Sequence, residues 1–318
     1  QDSFKGLLKP GLYNHVLKEK AGIESCQVNS LTDSLITETD MPLFLMQDLR
    51  IDNFFAWFNV EELAQRAGIK VNDMQDWYKV IDYFFEKYGP YAVGVKSAAA
   101  YSRNIDYDRI PADKVAPLFK KLLAGENLQP EKQKMLEDHL FWYAVEKSTE
   151  YQLPVKIHTG YYAGANGMPL SKVSGNAIAA ADLCRQAPDT QFVFFHIDYP
   201  YYEDMLAVAK HYTNAVVDMC WAWIINPVAA KDFLKKFIVT APANKVLTFG
   251  GDYIPVEPVL GHAIIARRGI ALALSELVEE QWITLDDALD LTENIMHNNA
   301  RNIYNLKAKT AYLKSHNW

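Results

Sequence analysis

Short, continuously hydrophobic segments recur along the chain and alternate with longer amphipathic ones. Continuous rather than alternating hydrophobicity is typical of parallel strands that are covered on both faces. The pattern therefore predicts buried parallel strands at residues 25–30, 42–49, 91–97, 153–158, 191–196, 215–219 and 245–249.

Amphipathic helices are predicted between these strands. In the clearest case, residues 74–88, Met74, Trp77, Ile81 and Phe84 lie on one face at helical spacing. Gly89-Pro90 ends this helix, and Thr284 precedes the last one as a capping residue. Further helices are predicted at 12–21, 135–151, 203–212, 228–238, 258–278 and 285–305.

The repeated strand–helix alternation predicts a right-handed βα series. No linker rich in Pro, Gly or Ser interrupts the 318 residues, so residues 1–318 are predicted to form a single domain. We expect an α/β fold of the TIM (β/α)8-barrel type. Because the pattern contains seven strands and a closed barrel needs eight, an open doubly wound sheet is the alternative.

Composition narrows the possible partners. The chain has 32 Lys and Arg against 39 Asp and Glu, a net charge of −7, and no basic stripe, which argues against nucleic-acid binding. No apolar run reaches about 18 residues, so no membrane span is predicted. Cys26, Cys184 and Cys220 include no CxxC motif, which excludes a disulfide scaffold and an all-cysteine zinc cluster and suits a cytoplasmic location.

Three predicted strands end in a residue that can bind metal or accept a proton. His158, His196 and Asp252 each follow a hydrophobic segment directly or within a few residues. The carboxyl ends of barrel strands form the functional face of such folds. Imidazole is a good zinc ligand, and a carboxylate can bind metal or take a proton. One strand-end histidine is often structural, but the three together predict a functional site.

The segments around these residues resemble a known superfamily. His158-Thr159-Gly160, residues 192–200, residues 249–253 and the helix 295–304 are similar to the amidohydrolase superfamily, in its amidohydrolase-related branch. That branch also contains metal-dependent decarboxylases and is akin to uronate isomerases. The resemblance extends from about residue 12 to residue 306 and implies the barrel fold.

The resemblance also implies roles for individual residues. It implies that His158 binds a divalent metal, which we expect to be zinc, and that His196 binds a second metal or contacts substrate or water. Asp252 is expected to contact the metal and to take a proton from the attacking water. The implied substrate is a small carboxylate-bearing molecule.

Other polar and aromatic residues have less certain roles. Lys96 is a carbamylated metal bridge, an ammonium that holds the substrate carboxylate, or the partner of an internal acid. Tyr161 and Trp221 follow strand ends and are predicted to line the substrate pocket, although they could instead pack beneath loops. Arg103 and Arg267 are candidate anion-binding residues.

One part of the family pattern is absent, because the sequence has no His-x-His pair. The first predicted strand corresponds to the family's second, so strand one and its two ligands are expected upstream of Gln1, unless this member has lost them.

The leading hypothesis is a hydrolase that uses metal-activated water. A decarboxylase or a sugar-acid isomerase on the same site is an alternative. A further alternative is a non-catalytic barrel module, since some relatives are fused to glutamine-synthetase-like domains. A homo-oligomer is expected because exposed helix faces of such barrels often pair.

Overall fold

The sheet contains seven parallel strands in sequential order. A computed structural model describes residues 10–30, 35–56, 59–162 and 170–316 of the chain. The strands pair in the order β1 to β7, and every pairing is parallel. They are β1 (Cys26–Val28), β2 (Leu45–Arg50), β3 (Gly94–Ser97), β4 (Val155–His158), β5 (Phe192–Phe195), β6 (Ala215–Asp218) and β7 (Val246–Leu247).

This strand order decides between the two predicted architectures. All seven predicted strands are confirmed at their expected places. A doubly wound sheet reverses its strand order at a switch point, and the described sheet does not. The doubly wound alternative is therefore wrong, and the fold is an α/β sheet curled in the manner of a TIM barrel. Among the described residues no strand pairs with the outer edge of β1 or β7, so the expected strand upstream of Gln1 stays a prediction.

Helices lie between the strands and after the last one, including the predicted ones and several that the pattern did not predict, such as Ala112–Leu123 and Asn176–Gln186. The α-helices are α1 (Asp52–Phe55), α2 (Val60–Ala67), α3 (Met74–Tyr88), α4 (Ala112–Leu123), α5 (Pro130–Glu150), α6 (Asn176–Gln186), α7 (Tyr202–His211), α8 (Ala222–Ile225), α9 (Pro227–Thr240), α10 (Pro258–Glu279), α11 (Leu285–Glu293), α12 (Asn299–Ile303) and α13 (Leu306–Ser315). None of the helices in the described ranges has the length and apolar character needed to cross a membrane.

Two predicted helices differ from the structure in type or continuity. The segment predicted as 12–21 is a π-helix, Asn14–Lys20. The segment predicted as one helix over 285–305 is α11, a π-helical turn Asn294–Asn298, and α12. The carbonyl of Ile295 in this turn accepts a hydrogen bond of 2.7 Å from Thr248 Oγ1, at the end of β7. The change of helix type therefore coincides with a contact to the sheet that local periodicity does not encode.

The concave face of the sheet is closed at one end by the C-terminal helices. Tyr304, Leu306 and Leu313 pack with side chains of the strands or of the residues beside them. These are Met46, Val93, Val193, Val216 and Leu247. The larger hydrophobic cluster packs the convex face against the surrounding helices. The polar side chains therefore gather at the other end, where the carboxyl ends of the strands lie.

A close helix contact fixes α10 against the turn after β6. A Cβ atom added at Gly269 would lie 2.1 Å from Cζ3 of the buried Trp223. The indole cannot move easily, because its Nε1 donates a hydrogen bond of 2.8 Å to the Thr248 carbonyl. Gly269 is therefore a packing requirement within a helix where alanine would otherwise be favoured.

We expect Gly269→Ala to lower the free energy of unfolding by about 1–3 kcal/mol, because overpacking a filled site is destabilising. The matched control is Gly261→Ala in the same helix, where nothing lies within 4 Å of the added carbon. That variant should gain up to about 1 kcal/mol from helix propensity. Urea denaturation of the two variants and the parent measures both values, and an equal effect of the two substitutions would contradict the packing argument.

Candidate active site

Two of the predicted site residues meet at the carboxyl ends of neighbouring strands. His158 is the last residue of β4, and His196 follows β5 directly. The parallel register pairs His158 with Phe195, which places the two histidines side by side. Their ring centroids are 4.5 Å apart. The structure therefore brings His158 and His196 together, as the strand-end pattern predicts.

His196 is held in one tautomer by the backbone. Its Nδ1 lies 2.7 Å from the carbonyl oxygen of Cys220 and must donate to it. Its Nε2 faces the carboxylate of Asp252, with 3.7 Å between Nε2 and Oδ2. Burial lowers the pKa of His196 to about 4, against the opposing effect of Asp252. At neutral pH the ring is therefore uncharged, and Nε2 carries a free lone pair, the form in which histidine binds metals.

His158 is buried and has an unsatisfied ring nitrogen. No residue in the described ranges forms a hydrogen bond with its Nε2. Tyr101 and Tyr162 pack on the ring, with centroid separations of 4.5 and 5.7 Å. Burial, together with the neighbouring His196 and Lys96, lowers the pKa of His158 well below its usual value. Because buried polar atoms are nearly always paired, this nitrogen marks a position where a ligand would be stabilised.

Cys220 lies beside His196 and Asp252. One ligand atom from each of the three residues can be chosen so that all lie within 4.8 Å of one another. Sequence analysis missed Cys220, because it treated the cysteines only as a count and a spacing. The available signal was that Cys220 follows Asp218, the last residue of β6, at the period of two that marks one face of a strand. Burial raises the pKa of its thiol well above the usual value.

One interpretation of Lys96 is that it pairs with an internal acid. In the structure, Lys156 forms such a buried ion pair. Its Nζ lies 2.7 and 2.8 Å from the two carboxylate oxygens of Asp48, and both side chains are buried. Lys96 is the register partner of Lys156 on β3, and its Nζ lies 3.5 Å from the ring centroid of Phe195. Lys96 forms no ion pair with any residue that the structure describes. Burial lowers its pKa, and the charge of Asp252 opposes this effect.

A cavity of about 570 Å³ lies beside these residues; Cys220 and Asp252 line it, whereas His158 and His196 are not among its lining residues. Its lining includes Lys96, Asp218, Cys220 and Asp252, together with residues from all seven strands. Small-molecule sites typically have volumes of about 300–1,000 Å³, so the cavity suits a small substrate. Burial raises the pKa of Asp218 to about 7, even though Cys220 N–H donates to its carboxylate at 2.8 Å. Asp218 was not predicted as a site residue.

The three residues predicted to contact substrate do not line this cavity. Tyr161 is exposed. Trp221 has a left-handed backbone (φ 66°) and a buried Nε1 without a partner among the described residues. Arg103 forms ion pairs with Glu137 and Asp138 and stacks on Tyr107. The structure thus does not bring Arg103 to the other site residues, and the substrate-binding roles of all three stay predictions.

The donor set fits a divalent cation. An imidazole nitrogen, a carboxylate and a thiol converge, and the Nε2 of the adjacent His158 is unpartnered. His158 is not one of the three converging residues, so its role as a metal ligand stays a prediction. His196 and Asp252 are two of the three converging residues, and their roles as metal ligands likewise stay predictions.

Comparison with known proteins identifies the family. The sequence model described as Amidohydrolase matches residues 121–306, which is more than half of the chain. The chain belongs to the amidohydrolase family. Protein fluG of Emericella nidulans is 23% identical over 229 residues, covering 68% of this amidohydrolase chain and 26% of that protein. The chain therefore spans about a quarter of the length of this curated relative.

Solved structures share the fold of this amidohydrolase. A protein of Lactobacillus casei ATCC 334, described as a metal-dependent hydrolase, is 16% identical with a TM-score of 0.72, over 94% of this chain and 77% of that one. Glucuronate isomerase of Caulobacter crescentus is 17% identical with a TM-score of 0.70, over 95% and 68% of the two chains. At these identities the likeness shows the fold.

The buried pair of Lys156 and Asp48 yields a stability prediction. Asp48→Asn should lower the free energy of unfolding at pH 7 by about 3–5 kcal/mol, because it leaves a buried ammonium without its counter-charge. The matched control is Asp182→Asn, which breaks the exposed pair with Arg185 on α6 and should cost at most about 1 kcal/mol. Urea denaturation measures the free energy of unfolding of both variants. Similar decreases would show that burial does not determine how much an ion pair contributes to stability.

The lowered pKa of His158 predicts how stability depends on pH in chelator-treated protein. Below about pH 6.5 the unfolded chain binds a proton at this residue and the folded chain does not. The free energy of unfolding should therefore decrease as pH falls from about 7 to 5, by up to about 1.4 kcal/mol per pH unit for this one group.

The histidine variant and its control test this assignment. His158→Gln should show a smaller decrease between pH 7 and 5 than the parent, whereas His211→Gln, at an exposed position of α7, should keep the parent's slope. Chemical denaturation at the two pH values measures it, and an unchanged slope in His158→Gln would overturn the assignment.

Proposed function

We propose that this chain carries the active site of a metal-dependent hydrolase that acts on a small carboxylate-bearing substrate. The observation that supports it most is the apposition of His196 Nε2 and the Asp252 carboxylate, 3.7 Å apart beside a cavity within an amidohydrolase fold. The proposed cofactor is a divalent metal, for which zinc suits a donor set containing imidazole.

His196 and Asp252 would hold the cation, and His158 would supply a further nitrogen beside them. A bound divalent cation lowers the pKa of water and polarises a substrate oxygen. The fixed tautomer of His196 supports this role, because the bond from Nδ1 to the Cys220 carbonyl orients Nε2 without any movement of the ring.

Asp252 is the proposed proton acceptor. Its side chain is 39% exposed, whereas that of His196 is 2% exposed. The carboxylate can therefore contact both an incoming water molecule and the buried imidazole. A carboxylate beside a metal site collects the proton that the attacking water loses.

Lys96 is the proposed binding group for the substrate carboxylate. It lines the cavity, it is buried, and it has no carboxylate partner among the described residues. A substrate carboxylate would offset the cost of burying this charge, which the ring of Phe195 only partly compensates. Lys156 is not available for the same role, since Asp48 occupies it.

One observation favours sugar-acid isomerisation as a second candidate. Asp218 lines the same cavity, and burial raises its pKa to about 7. An isomerase must move a proton between adjacent carbons, and a carboxylate with a pKa near the working pH is an efficient acid and base. Hydrolysis needs no second carboxyl group of this kind, so the product formed discriminates between the two reactions.

The test is a comparison of zinc-loaded parent with Asp252→Asn on N-acetyl amino acids and on D-glucuronate. On the hydrolase proposal, the parent releases acetate, a chelator abolishes the activity and added zinc restores it. Asp252→Asn should lower kcat by about 10²–10⁴-fold, because it removes the proton acceptor. Asp182→Asn, exposed and remote, is the control and should keep the parent's rate.

Each outcome of this comparison bears on one candidate. Conversion of D-glucuronate with the N-acetyl amino acids untouched would support the isomerase and contradict the hydrolase. Full activity of the chelator-treated parent, or of Asp252→Asn, would contradict both.

A further inference from the structure

We infer that Cys220 is a metal ligand, so that the centre is a mixed site of one imidazole nitrogen, one carboxylate oxygen and one thiolate sulfur. The inference rests on the metal centre of the proposed function but not on which bond is cleaved. A site with this ligand set would favour zinc over magnesium, because thiolate is a soft ligand.

The distances suit a single cation. The ligand atoms of His196, Cys220 and Asp252 all lie within 4.8 Å of one another, and His196 Nε2 lies 3.7 Å from Asp252 Oδ2. Ligand atoms about 2.0–2.3 Å from a tetrahedral zinc ion are about 3.3–3.8 Å apart. Small side-chain adjustments would bring the three atoms to these separations.

The same backbone that presents the sulfur also orients the histidine. The carbonyl of Cys220 accepts the Nδ1–H of His196, which leaves Nε2 as the free donor atom. A carbonyl partner on the second nitrogen is the usual companion of a metal-binding histidine. Cys220 therefore contributes to the centre twice, through its backbone oxygen and through its sulfur.

The turn after β7 is shaped to admit the sulfur. A Cβ atom at Gly250 would lie 2.5 Å from Sγ and 2.8 Å from Cβ of Cys220. The carbonyl of Gly250 accepts a hydrogen bond of 3.0 Å from Trp221 N–H. The chain segment that carries Asp252 is thus fastened directly onto the segment that carries Cys220, which sets the two ligands beside each other.

His158 is the second, independent sign of a ligand at this place. It is 3% exposed, its Nε2 has no partner among the described residues, and its ring lies 4.5 Å from the ring of His196. A thiol alone would not indicate a site. A thiol, an oriented imidazole and a carboxylate beside an unsatisfied buried nitrogen do.

Cobalt substitution tests the sulfur directly. Co²⁺ is titrated into the chelator-treated full chain without oxygen, and on binding the thiol of Cys220 loses its proton to solvent as the sulfur–metal bond forms. We expect a sulfur-to-cobalt charge-transfer band in the near ultraviolet that saturates at one Co²⁺ per chain. Cys220→Ser should lose this band and should bind zinc more than about 10-fold more weakly in competition with a chelator.

Two matched variants control for the other thiols. Cys184 is buried in α6, and Cys26 lies on β1 and also lines the cavity. Cys184→Ser and Cys26→Ser should both keep the band. Loss of the band in Cys26→Ser with retention in Cys220→Ser would overturn the assignment.

A measurement on the unaltered protein covers the case in which Cys220→Ser fails to fold. X-ray absorption of the zinc-loaded parent should require a sulfur neighbour at about 2.3 Å, and a shell of nitrogen and oxygen alone would overturn the inference. Metal binding without sulfur would leave the proposed function standing. Sulfur ligation without turnover of any probe would contradict the proposed function and leave the ligand assignment standing.

Discussion

The ion pair between Lys156 and Asp48 determines how charge is arranged on the concave face of the sheet. Lys96 and Lys156 are register partners on neighbouring strands, so two ammonium groups are buried side by side. Like charges in a low-dielectric interior repel strongly. Asp48 uses both of its oxygens on Lys156, so Lys96 has no ion-pair partner among the described residues. Burial lowers the pKa of Lys96, and of the nearby charges that of Asp252 opposes this lowering most. Lys96 therefore lines the cavity without a carboxylate partner among the described residues because Asp48 pairs with Lys156.

Backbone strain at the strand ends supports the same arrangement. His196, Trp221 and Asp252 all have left-handed backbone conformations, with φ of 70°, 66° and 52°. Such conformations are uncommon for residues other than glycine and persist only where the surroundings hold them. The contact between Trp221 and Gly250 provides one such restraint. The fold itself thus holds these residues in position, and such preorganisation is what the proposed catalysis would require.

The fold could be predicted from sequence because its signals are local. Each strand is a continuous hydrophobic segment, and parallel strands in sequential order must end at one edge, so His158 and His196 could be placed together without coordinates. The π-helical turn Asn294–Asn298 could not be predicted, because its cause is a contact with Thr248 at a distant position in the chain.

The detailed site was harder to predict for the same reason. Strand-end positions show which residues share an edge but not which atoms meet. Arg103 looked free and is held by Glu137 and Asp138. Lys156 lies two residues before His158, hence on the same face of β4, yet only the structure shows that it takes Asp48 and frees Lys96. The number and spacing of the cysteines gave no role to Cys220, whereas the structure places its sulfur beside His196 and Asp252.

The contact between Gly250 and Cys220 has a consequence for how this sequence can change over evolutionary time. Any side chain at position 250 would occupy the volume of the sulfur, since its Cβ atom would lie 2.5 Å from Sγ. The same atom would also lie 2.8 Å from Cβ of Cys220, so loss of the sulfur alone would not make room for a side chain at position 250. The two positions are therefore coupled in evolution: position 250 is restricted to glycine as long as residue 220 carries any side chain.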